Sequence, residues 1–91
     1  MALSIEFTVT FAELYRSLPP GDVAAVDRML DELEARHDQP HLRAIIRVGE
    51  HSLFATPRIS APRGLYRITW TYDRRDSPTA IVCLTVARIE T

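Results

Sequence analysis

The sequence predicts an α+β domain: an antiparallel β-sheet with an N-terminal strand and a two-helix hairpin packed on one face, in the order β-α-α-β-β-β. Three observations lead there. Period-two alternation opens the chain, helical spacing of apolar residues follows, and runs rich in β-branched and aromatic residues fill the second half. With 91 residues, positions 1–91 form a single domain around one core.

Leu3, Ile5, Phe7 and Val9 alternate with Ser4, Glu6, Thr8 and Thr10, the pattern of a half-buried strand. Thr10 then stands three residues before Glu13, which predicts a capping box, with Phe11, Leu14, Tyr15 and Leu18 at helical spacing behind it. Pro19-Pro20-Gly21 stops this helix and can open the next. In the second helix, Val23, Val26, Leu30 and Leu33 form an apolar stripe widened by Met29, with Arg28, Asp31, Glu32 and Ala35 opposite. That helix is predicted to end near Arg36-His37.

From Leu42 the chain reads as strands. Ala44-Ile45-Ile46 is a short run, Gly49-Glu50 a turn, and Ser52 to Ile59 the next strand, made irregular or placed at an edge by Pro57. After the loop 60–64, Tyr66, Ile68, Trp70 and Tyr72 share one strand face, while Arg67, Thr69 and Thr71 share the other. Residues 73–78 form a charged turn, and the last strand runs from Thr79 to about Ile89.

The N-terminus has neither a basic start nor a continuous apolar run, so the expected location is the cytoplasm, with no membrane segment. Cys83 is the only cysteine and sits in an apolar strand, as a packed thiol would. Lysine is absent, so all eleven permanent cations are guanidiniums. The net charge of −1 hides a split: residues 1–42 carry −5 and residues 43–91 carry +4. Arginines on adjacent strands suit planar anions, above all phosphate; acidic solvated helix faces would give the same split.

Among individual residues, the alternative for Arg67 is a salt bridge to a helix carboxylate. Arg74 and Arg75, beside Asp73 and Asp76, read as a solvated turn. His37 and His41 have a ligand spacing, but Pro40 between them breaks the helix that a metal site would need, so no metal or cofactor is expected. His51 is a candidate general base. Trp70 and Phe54 read as core.

Several stretches resemble the RelE/ParE family of small bacterial toxins from toxin–antitoxin modules. They are Thr8-Val9-Thr10-Phe11 closing the first strand, Ser17-Leu18-Pro19-Pro20 before the long helix, Pro40-His41-Leu42-Arg43, Leu53-Phe54, and above all Leu65-Tyr66-Arg67-Ile68. The resemblance implies a cytoplasmic toxin, held by a cognate antitoxin, that cuts mRNA on the ribosome by attack of a 2′-OH on the adjacent phosphate. Carried over by position, Arg67, Arg58 and Arg88 would stabilise the phosphate, and Arg63, Arg43 and Arg47 would bind RNA. Nuclease members carry lysines before the Tyr-Arg motif, where this chain has Phe54-Ala55-Thr56-Pro57. The alternative reading is therefore a non-catalytic, ParE-like protein that acts by protein contact, on DNA gyrase or on its antitoxin alone. A free edge strand also leaves self-association open.

Overall fold

The computed structural model describes residues 3–89. Strand β1 (Ser4–Phe7) leads into helices α1 (Val9–Arg16) and α2 (Pro20–Arg36), followed by a 3-10 turn at Pro40–Leu42. Strands β2 (Ala44–Val48), β3 (His51–Ala55), β4 (Ile59–Ala61), β5 (Gly64–Tyr72) and β6 (Ala80–Arg88) complete the chain. The sheet order is β1-β6-β5-β3-β2, with β4 paired to β5. As predicted, the fold is α+β, with α1 packed over β6 and α2 over β4. The strands from β2 onward pair antiparallel. β1 is the exception: it runs parallel to β6, making the sheet mixed. No hairpin turn joins β1 to β6, so nothing in the local chain imposes the antiparallel sense.

The first helix begins two residues before the expected Thr10. Thr8 is the N-cap: its hydroxyl oxygen accepts from the Phe11 N–H at 3.0 Å while the hydroxyl donates to the Leu84 carbonyl at 2.9 Å. The strand pairing sets that boundary, because Phe7 is the last residue in register with β6. α2 starts with Pro20 at its first position. Its buried stripe is Asp22, Ala25, Val26 and Leu33, rotated from the predicted one so that Val23 and Leu30 are only half-buried. The predicted strand from Ser52 to Ile59 is two strands, interrupted at Thr56-Pro57-Arg58, where proline has no N–H for a ladder.

The core lies between the helices and one face of the sheet, around Phe11, Val26, Leu33, Ile68, Trp70 and Ile81. Trp70 is fully buried, and its ring N–H donates to the Leu42 carbonyl at 2.9 Å. Such a partner is what allows an indole to be buried without leaving a donor unsatisfied. Among the described residues, no helix is long and apolar enough to cross a membrane.

Candidate phosphate-binding face

Strand β5 sorts its side chains by alternation. Tyr66, Ile68 and Trp70 are buried against the helices, which turns Arg67, Thr69 and Thr71 to the face that carries no helix. On β6, Ala87 stands opposite Arg67 and Thr85 opposite Thr69, so a small residue and two hydroxyls flank the guanidinium. On the other side, β4 pairs Ile59 with Tyr66 and Ser60 with Leu65. Arg58, exposed, stands immediately before β4, next to Ile59 in its pairing with Tyr66.

Thr56 fixes this junction. It is buried, its N–H donates to the Ile68 carbonyl at 2.9 Å, and its hydroxyl oxygen accepts the Ile68 N–H at 3.0 Å. A side chain thus stands in for the ladder bond that the break before Pro57 removes.

Cations gathered on one sheet face repel one another unless an anion lies between them. Among the described residues, no arginine forms an ion pair; the single salt bridge is His41 with Glu32, at 2.9 Å. The helix carboxylates considered as partners for Arg67 lie on the other side of the sheet. The Arg67 Nε is buried without a hydrogen-bond partner. A buried donor left open in this way is uncommon, and a ligand oxygen is one means of satisfying it.

The remaining candidates are not brought to this face. Arg88 is in register with Tyr66, so it faces the helix side, where its guanidinium lies against Gly64 and donates to the Arg63 carbonyl. The cause is a bulge. Leu84 is the extra residue between the Thr69–Thr85 and Trp70–Cys83 pairs, and it flips the alternation of every later residue in β6. The freed Leu84 carbonyl is the one that Thr8 satisfies.

Arg63 is exposed in the β4–β5 turn, and Arg47 is exposed near the end of β2. Arg43 is half-buried beneath the C-terminal end of α2, bonded to the His37 carbonyl at 3.0 Å and the Tyr72 hydroxyl at 2.5 Å. His51 lies on the same face as Arg67 but roughly 20 Å away along the strands, at about 3.4 Å per residue, beyond reach of a shared phosphate.

One functional support was missed in the sequence. Asp22 is fully buried; one carboxylate oxygen accepts the Arg63 N–H at 3.0 Å, and the other accepts the Tyr66 hydroxyl at 2.6 Å. It ties the β4–β5 turn to α2 and so steadies the strand that carries Arg67. The Asp22 hydrogen bond, with burial, raises the Tyr66 pKa above its ordinary value. Helical spacing held the signal, since Asp22 extends the Ala25–Val26–Leu33 stripe back by one turn.

No sequence-family model and no curated protein matches the chain. Solved structures do. The toxin–antitoxin complex RelBE2 from Mycobacterium tuberculosis matches with a TM-score of 0.71 at 26% identity, covering 98% of this chain and 100% of that one. A free-state mutant of the E. coli toxin RelE matches at 0.70 and 16% identity, over 99% and 86% of the two chains. The archaeal RelE–RelB complex from Pyrococcus horikoshii OT3 matches at 0.61 and 20% identity, over 97% and 96%. Over nearly its whole length, the chain matches the structures of RelE toxins, and its fold is RelE-like.

Proposed function

We propose that this protein is the cytoplasmic toxin of a type II toxin–antitoxin module, and that it cleaves mRNA on the ribosome. The observation that carries this reading is Arg67 on the helix-free sheet face, its Nε buried without a hydrogen-bond partner and its guanidinium without a carboxylate partner among the described residues, with Arg58 exposed just before β4. Attack of a ribose 2′-OH on the adjacent phosphorus forms a 2′,3′-cyclic phosphate, breaks the bond to the 5′-oxygen, and concentrates negative charge on the phosphoryl oxygens. Two guanidiniums already in place stabilise that charge more than they stabilise the ground state. Thr69 and Thr85 offer hydroxyl donors beside them. Arg88 and Arg47, both on the helix side of the sheet, are not part of this group; Arg63, exposed in the β4–β5 turn, is the residue that would meet RNA backbone outside it.

The antitoxin complexes among the matching structures support a cognate antitoxin as the resting partner. A second reading has its own observation. His51, the histidine on the same face, is too far away to accept the 2′-OH proton, which favours a protein that acts by contact alone, on gyrase or on its antitoxin. Adding the purified protein to a bacterial translation extract and mapping reporter-mRNA ends separates the two. Ribosome-dependent cuts are expected. An intact message beside inhibited gyrase supercoiling would replace the first reading with the second.

A further inference from the structure

A groove of about 540 Å³ opens where α2 ends, between β2–β3 and the β5–β6 turn, at a distance from the Arg58–Arg67 face. His37, Arg43, Phe54, Tyr72 and Arg75 line it. Its size suits one small ligand; its cations are donors only, and the hydroxyls of Ser52, Thr71 and Tyr72 can also donate. Arg43 cannot accept, so the Tyr72 oxygen accepts from it at 2.5 Å. The Tyr72 hydroxyl proton is then free to go to Nδ1 of His37, 2.7 Å away. In the tautomer whose Nδ1 accepts from Tyr72, the ring N–H is on Nε2.

Among the described residues, Nε2 of His37 and Nη1 of Arg43 have no hydrogen-bond partner, and Arg75 forms no salt bridge. The Arg43 guanidinium carbon lies 5.4 Å from the Tyr72 ring centre and 5.9 Å from that of Phe54. Ring contact and bonds to Tyr72 and the His37 carbonyl hold this cation in one orientation without neutralising it. Donors, two cations and aromatic and aliphatic walls together describe a site for an anion attached to a ring.

We propose that this groove binds a nucleoside monophosphate, its phosphate taken by Arg43, Arg75 and the His37 ring N–H and its base set against the apolar wall. The proposal is independent of the nuclease reading, because it concerns the opposite side of the sheet. Trp70, the only tryptophan, has its ring centre 5.1 Å from that of Tyr72 and 4.8 Å from that of Phe54, and so reports on the groove.

Titrating adenosine 5′-monophosphate against Trp70 fluorescence, with calorimetry in parallel, tests it. Saturable 1:1 binding is expected, with adenosine and inorganic phosphate each at least about tenfold weaker. Arg43→Ala also removes the bond to the His37 carbonyl and can disturb folding, so the deciding variant is Arg75→Gln. It should weaken binding roughly tenfold with an unchanged urea midpoint, while Arg67→Ala leaves binding as it was. No saturable binding, equal binding of adenosine, equal binding of phosphate, or an unaffected Arg75→Gln variant would each overturn the proposal.

Discussion

Asp22 shows how far a single residue departs from its local appearance. In the first turn of a helix, an aspartate reads as a solvated partner of the helix dipole, yet here it is the buried acceptor for both Tyr66 and the turn before β5. Asp22→Ala leaves the Tyr66 hydroxyl and the Arg63 N–H without an acceptor, and we expect a loss of about 1–3 kcal/mol for each group so stranded. A lowered urea midpoint at unchanged m-value is the measurement that checks it. Cys83 met its expectation fully: it is buried, and burial pushes its thiol pKa up to about 12. Thiolate is the reactive form. Iodoacetamide at pH 8 should therefore modify the protein only at the rate at which it unfolds; fast labelling of the native state would contradict the packing described.

Among the elements, α2 and β5 were the most legible, because each holds its hydrophobic period over two or more turns or pleats. Boundaries were less so. The start of α1 depends on which β1 residue pairs last with β6, a long-range fact that no local pattern contains. The Leu84 bulge was invisible for the same reason, and with it the face of Arg88 was lost: simple alternation from Ile81 and Cys83 sends Arg88 to the helix-free side. The charged turn after β5 holds a further device. The Asp73 carboxylate accepts from the Thr79 hydroxyl, the Thr79 N–H and the Ala80 N–H, and these bonds lower its pKa from 3.8 to about 2. A depressed carboxylate pKa stabilises the fold above the unfolded value and loses that contribution as pH falls through the folded one. Stability should therefore drop between about pH 4 and pH 2, and Asp73→Asn should flatten that part of the profile. An unchanged profile in the variant would show that the turn is not what responds to acid.

At the scale of the whole molecule, the acidic half supplies the helices and the basic half supplies the sheet, so the charge split visible in the sequence became a division in space. What composition could not say is which arginines share a surface. Arg67 lies on the helix-free face, with Arg58 exposed just before β4; Arg43, Arg47 and Arg88 are turned to the other side. If the helix-free face carries RNA, affinity should fall steeply with rising salt, and less steeply in an Arg58→Ala/Arg67→Ala double variant that has shed two phosphate contacts. A binding isotherm repeated at several salt concentrations reads this directly. The most direct test of the account compares ribosome-dependent cleavage rates of Arg58→Ala, Arg67→Ala and Arg88→Ala. The geometry predicts losses on the order of a hundredfold or more for the first two and less than about tenfold for the third. Cleavage that survives both open-face substitutions, or that depends most on Arg88, would contradict it.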